Sequence, residues 1–103
     1  MSKVHERLQS IRLVRVDGYP LPTEKTIDVA YDVTTSFIPQ IINPAPNGGV
    51  SLEYTNYEQR TLVEILNDDS IVVVDKKNNR VTVKTFGIDD ILTVISYLIM
   101  KGV

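Results

Sequence analysis

The run Pro44-Ala45-Pro46-Asn47-Gly48-Gly49-Val50-Ser51-Leu52-Glu53-Tyr54 sets the architecture of this chain. Two prolines and a glycine pair exclude a helix and mark a turn. Directly after it Val50, Leu52 and Tyr54 alternate with Ser51 and Glu53, the period of a strand with one apolar face. A glycine-rich loop that cradles a phosphate opens onto a helix N-terminus. Here a strand follows, so the glycines are read as turn geometry. The run is a corner that starts a sheet, sets its register and presents Glu53.

Downstream of the corner the chain predicts an antiparallel meander from Gln40 to Phe86. Ile41 and Ile42 form a short strand that enters the corner. Thr55 to Gln59 reads as a polar connection. Arg60 to Leu66 is the next strand, with Thr61, Val63 and Ile65 on one side and Leu62, Glu64 and Leu66 on the other. Asn67-Asp68-Asp69-Ser70 is a turn by composition. Ile71 to Val74 is a continuous β-branched run, as in a central strand. Lys76 to Asn79 reads as a hairpin loop, and Arg80 to Phe86 alternates Val81, Val83 and Thr85 with Thr82, Lys84 and Phe86. Val63, Ile65, Ile71, Val73, Val81 and Val83 are core candidates, with the inward parity of each strand left open.

Three helices flank this meander. Residues 3 to 15 place Val4, Leu8, Ile11 and Val14 at helical spacing, although Ile11 to Val16 also alternates and could end extended. Asp17-Gly18-Tyr19-Pro20-Leu21-Pro22 ends that segment. Thr23 is an N-cap for a second helix, with Glu24 in its first turn, a face of Ile27, Ala30, Tyr31, Thr34, Phe37 and Ile38, and Pro39 as its stop. Gly87 is the expected N-cap of a last helix, with Asp89 and Asp90 in the first turn and Gly102 as its C-terminal cap. That helix is apolar far round its circumference: Ile88, Ile91, Leu92, Ile95, Leu98 and Ile99 share a face, and Val94, Tyr97 and Met100 occupy much of the rest. Such a helix is normally buried between layers or against a second subunit, so a homodimer through it is expected.

The fold class that follows is α+β: one domain over 1–103, a four- to five-stranded antiparallel meander, and helices on one face that include the C-terminal one. At 103 residues, 43% hydrophobic and 23% charged, the chain is of ordinary globular composition and can bury a core without staples. Cysteine is absent, which removes disulfides, thiol nucleophiles and thiolate metal sites and fits a reducing cytoplasm. The first residues lack the apolar core of a secretion signal, and the apolar run from Ile88 to Met100 carries Asp89 and Asp90 and is too short to span a bilayer. A cytoplasmic location and no membrane partner are expected. The net charge of −2 is segregated. Lys3, Arg7, Arg12 and Arg15 are followed by Glu24, Asp28 and Asp32, then by Glu53, Glu58, Glu64, Asp68 and Asp69, then by Lys76, Lys77, Arg80 and Lys84. These blocks are either solvated faces or complementary patches for a partner.

No segment carries a catalytic signature. His5 has no residue marked to tune it as a general base, and no serine sits in a nucleophile elbow. Asn67 to Ser70 resembles part of a calcium loop without its spacing or closing glutamate. No catalytic residue, metal site or cofactor is therefore expected. Glu53 and Glu64, on adjacent strands, could serve a two-carboxylate hydrolase, the weakest reading. The basic hairpin Lys76, Lys77, Arg80 and Lys84 could touch phosphates, but only Phe86 is interleaved with it as a stacking aromatic. Tyr19 and Tyr57 are candidates for exposed aromatic anchors.

The order helix, Asp17-Gly18-Tyr19 turn, capped helix, corner and meander resembles a group of small uncharacterised bacterial proteins. They share a Pro-x-Pro-x-Gly-Gly-x-x-Leu-Glu-aromatic core, matched here by Pro44 to Tyr54 with Tyr54 where the group usually has tryptophan, and a following strand matched by Leu62-Val63-Glu64-Ile65. Such proteins are often encoded near toxin or mobile-element genes. The resemblance implies an antitoxin, immunity or phage-related role and carries over no catalytic residue. The expected function is a non-enzymatic protein-binding module, an inhibitor of a toxin, nuclease or defence component, contacting it through Glu53, Tyr54, Tyr57, Glu58 and Glu64. The alternative is a nucleic-acid-binding accessory protein using Lys76, Lys77, Arg80 and Lys84.

Overall fold

The computed structural model describes residues 2–13 and 18–103. The order of elements is α1 (Ser2–Leu13), α2 (Glu24–Ser36), β1 (Ile41–Pro44), β2 (Gly49–Asn56), β3 (Gln59–Leu66), β4 (Ser70–Lys77), β5 (Arg80–Gly87) and α3 (Ile91–Met100). The strands form one five-stranded sheet in the order β1-β2-β3-β4-β5, every pair antiparallel. The α+β meander expected from the sequence is the fold observed. Val14, Arg15, Val16 and Asp17, which include the expected end of the first helix and the first residue of the Asp-Gly turn, lie outside the described residues.

The corner works through its backbone. Ala45 N–H donates to Gly49 C=O (3.1 Å) and Gly48 N–H to Ala45 C=O (2.9 Å). Gly48 and Gly49 adopt φ of +93° and +129°, the region that disfavours a Cβ. Gly49 also brings β2 against the backbone of Ile65 and Leu66 on β3. Asn67 ties this end of the sheet to α2: its Oδ1 accepts from Thr23 N–H (2.9 Å) and its Nδ2 donates to Leu21 C=O (2.8 Å). Thr23 caps α2 as expected, its hydroxyl accepting from Thr26 N–H at 3.2 Å.

The register divides the sheet into two faces. On the inner face four cross-strand rows run Pro44–Val50–Ile65–Ile71–Phe86, Ile42–Leu52–Val63–Val73–Lys84, Tyr54–Thr61–Asp75–Thr82 and Asn56–Gln59–Lys77–Arg80. Apart from half-buried Pro44, the apolar members of these rows are buried with Leu8, Ile27, Ala30, Val33, Val94 and Leu98 of the helices in one core. Each Val, Leu, Ile or Phe side chain among them, fully withdrawn from water, contributes about 1.5–3 kcal/mol. Two ion pairs tie the helical layer together, Arg12 to Glu24 (2.9 Å) between α1 and α2 and Lys25 to Asp89 (3.1 Å) between α2 and the segment before α3. Part of the segregated charge is thus consumed within the chain. Among the described residues no helix is long and apolar enough to cross a membrane.

Several details depart from the sequence expectations. Val63, Ile65, Ile71 and Val73 are core, but Val81 and Val83 are 60% and 61% exposed. They pair with Lys76 and Val74 on the outer face of an edge strand. The polar connection after β2 shrinks to Tyr57-Glu58, because strand pairing continues to Asn56 and Gln59. The hairpin loop after β4 shrinks to Asn78-Asn79, whose φ values of 50° and 66° are those of the type I′ turn that matches strand twist. The buried side of α2 is Thr26, Ile27, Val29, Ala30, Val33 and Thr34, and Ile38 is exposed. Helix α3 starts one turn later than expected, with Asp90 rather than Gly87 at the N-cap position and no side-chain cap bond. It buries Val94, Tyr97 and Leu98 and exposes Leu92, Ile99 and Met100.

Candidate functional site

The outer face of the sheet gathers most of the residues expected to bind a partner. Its central row is Ile41–Glu53–Leu62–Val74–Val83; beside it run Asn43–Ser51–Glu64–Val72–Thr85 and Thr55–Arg60–Lys76–Val81. Alternation along β2 and β3 puts Glu53 and Glu64 here, because Leu52 and Val63 are turned into the core. Glu53 is held by Arg60 across the β2–β3 ladder, Nε to Oε1 at 2.6 Å. Leu62, Val72 and Val74 are half-buried and Val81 and Val83 exposed, and no described helix lies over them. The result is an apolar centre with Glu53, Arg60, Glu64 and Lys76 around it.

Tyr57 and Glu58 form the tip of the β2–β3 hairpin at one end of this face, and Tyr57 is 100% exposed. At the opposite end Glu64 lines a cleft of about 550 Å³ with Arg7, Tyr19, Pro44, Pro46 and Leu62. Tyr54 does not belong to the surface. It is buried on the inner face, its hydroxyl donating to Phe37 C=O (2.8 Å), its ring edge-on to Phe37 and its proton held more tightly than usual by burial. The correction follows from parity: Tyr54 shares the face of Val50 and Leu52, and a contact role assigned to both Glu53 and Tyr54 would need one strand to point both ways.

The same face carries both carboxylates of the hydrolase reading. Glu53 lies opposite Leu62 and Glu64 opposite Ser51, so they are diagonal neighbours, roughly 7–8 Å apart at the backbone. The Arg60 guanidinium occupies the Glu53 oxygen that a reacting group would have to approach. His5, the sole histidine, is on α1 against the Tyr31 ring at 5.0 Å.

The basic hairpin is divided by the sheet. Lys76 is on the outer face beside Arg60, whereas Lys77, Arg80 and Lys84 are on the inner face. Lys77 and Arg80 line a cleft of about 440 Å³ with Lys101, Thr82, Gln59 and Asp75. Asp75, which the sequence reading passed over, is only 5% exposed at the floor of this cleft. Its Oδ1 accepts from Gln59 Nε2 (2.6 Å) and Thr61 Oγ1 (2.9 Å). Lys84 and Lys101 both stand over the Tyr97 ring at 5.5 Å, which covers the aromatic that a base would stack on.

No protein-family model, curated protein or solved structure matches this chain.

Proposed function

We propose that this chain is a non-enzymatic protein-binding module, a cytoplasmic inhibitor of the antitoxin or immunity type, that docks another protein on the outer face of its sheet. The observation that supports this most is the apolar row Leu62, Val74 and Val83, uncovered by any described element and framed by Glu53, Glu64, Arg60 and Lys76. Rigid antiparallel sheets present such a face without the entropy cost of ordering a loop. Glu58 and Glu64 set the partner's chemistry: an apolar patch flanked by basic groups. The resemblance to proteins encoded near toxin genes supports a toxin, nuclease or defence component as that partner.

The test is capture of the partner from cells that carry the gene, followed by titration. Val74→Glu places a charge in the centre of the face and should weaken the complex by tenfold or more, about 1.4 kcal/mol. The double charge reversal at Glu58 and Glu64 should slow association, with the effect shrinking as salt is raised. A captured protein that binds both variants as tightly as the parent chain contradicts this reading.

A second reading rests on the inner-face cations. Lys77, Arg80, Lys84 and Lys101 cluster there, and none is in an ion pair among the described residues. It predicts salt-dependent retention of oligonucleotides that is lost when Lys77 and Arg80 become Ala. A flat titration at low salt dismisses it.

A further inference from the structure

β5 is the last strand of the sheet, and Arg80 to Thr85 are exposed along it. The ladder fixes which of its backbone groups are free. Ile88 N–H donates to Asp69 C=O (2.9 Å), and the register continues through Phe86–Ile71, Lys84–Val73, Thr82–Asp75 and Arg80–Lys77. In an antiparallel ladder alternate residues turn both backbone groups to the same neighbour. Arg80, Thr82, Lys84 and Phe86 therefore face β4, and Val81, Val83 and Thr85 present N–H and C=O to the open side. The opposite edge is guarded: Arg7 Nε donates to Ile42 C=O (2.8 Å) on β1. Among the described residues no side chain does the same on β5, and an unguarded edge of this kind is a template for another strand.

We infer that β5 pairs antiparallel with β5 of a second copy about a twofold axis at Val83, joining two sheets into one. Charge and the length of the pairing select this register, because an axis at Val81 or at Thr85 would leave part of the free edge without a β5 partner. An axis at Lys84 would set Lys84 against Lys84, and an axis at Thr82 would set Arg80 against Lys84, both on the inner face and both repulsive. An axis at Val83 sets Val83 against Val83, Val81 against Thr85, Thr82 against Lys84 and Arg80 against Phe86. No like charges stand directly opposite, Lys84 meets Lys84 and Arg80 of the second copy only on the diagonal, and every free N–H and C=O of Val81, Val83 and Thr85 finds a partner. Lys84, the inward charge that would otherwise block the edge, is drawn back over its own Phe86 and Tyr97 rings at 5.9 and 5.5 Å. The pairing is isologous, as a closed dimer requires. It stands independently of what the outer face binds, and it makes that face continuous across two copies.

Light scattering and amide exchange on the full chain test this. The expected mass rises with concentration from 11.6 kDa to twice that value. The amides of Val81, Val83 and Thr85 should become protected in step, while those of Thr82 and Lys84 are protected throughout. Val83→Pro removes the donor at the axis and should leave a monomer. Thr82→Lys keeps the strand and only adds like charge opposite Lys84, so it should weaken the dimer by up to about tenfold and recover in high salt. A chain that is monomeric up to millimolar concentration overturns the inference. So does a dimer that both variants leave intact and that Leu92→Glu on α3 dissociates.

Discussion

At the residue scale the corner depends on one missing side chain. A Cβ on Gly49 would overlap the Ile65 carbonyl and sit 2.9 Å from Leu66 Cα, with φ at +129°. Gly102 has a comparable positive φ of +78° but open space around it. Gly49→Ala should therefore cost about 3 kcal/mol or more, and Gly102→Ala only about 1 kcal/mol. Urea unfolding of the two variants measures this, and equal losses would contradict the close approach of β2 and β3. Tyr54 gives the chain an alkaline limit. Burial pushes its hydroxyl above the ordinary tyrosine range, so the folded state keeps a proton that the unfolded state releases near pH ~10. Its contribution is complete below that pH and is lost as pH rises above it. Tyr54→Phe should lower stability at neutral pH by about 1 kcal/mol through the lost bond to Phe37 and should flatten the decline above pH ~10. A decline unchanged in the variant would assign it to another group.

Single residues were legible where parity within one strand was enough. Glu53 and Glu64 take their side of β2 and β3 by alternation against Leu52 and Val63, whereas Val63, Ile65, Ile71 and Val73 are core candidates whose inward parity only the ladder decides. Asp75 continues the Ile71, Val73 parity into the core, but its partners Gln59 and Thr61 come from β3 and are visible only once the β3–β4 register is known. Val81 and Val83 failed for a related reason. Their alternation is that of any half-buried strand, and only the register with β4, which sets them beside Lys76 and Val74, puts them on the open outer face.

At the element scale local chemistry carried most of the boundaries. Thr23 caps α2, and Thr23→Ala should cost about 1 kcal/mol by leaving Thr26 N–H without its acceptor. Thermal unfolding reads the loss, and an unchanged midpoint would mean that the Thr23 hydroxyl contributes nothing beyond what water supplies. The β3–β4 turn was marked by its composition, and Asp69 supplies its left-handed residue at φ 67°. Helix α3 was harder. Its apolar residues nearly encircle it, so periodicity could not tell which side meets α2 and the sheet. The structure resolves the choice through Phe86, whose ring meets Tyr97 edge-on at 5.5 Å and turns Leu92 and Ile99 outward. Lysine and asparagine weigh against a strand and so lengthen the loop expected at Lys76 to Asn79, whereas pairing to β3 and β5 carries β4 through Lys77.

At the scale of the whole molecule the account is one of asymmetry between two sheet faces. Three helices and the inner rows form the core. The outer rows remain open with an apolar centre, and the expected binding residues divide accordingly, with Glu53 and Glu64 on the open face, Tyr57 and Glu58 at its tip and Tyr54 inside. The expected helix layer on one face was legible from segregated element order; the charged and apolar composition of the open face was not, because it depends on the register of four hairpins at once. The most direct test places a photo-reactive amino acid at Val74, in the centre of the open face, or at Thr82, on the inner face, in cells that carry the gene. The account predicts a covalent adduct with a second, different protein from Val74, and from Thr82 no adduct except with a second copy of this chain. Adducts with a different protein from Thr82 alone, or from neither position, would contradict it.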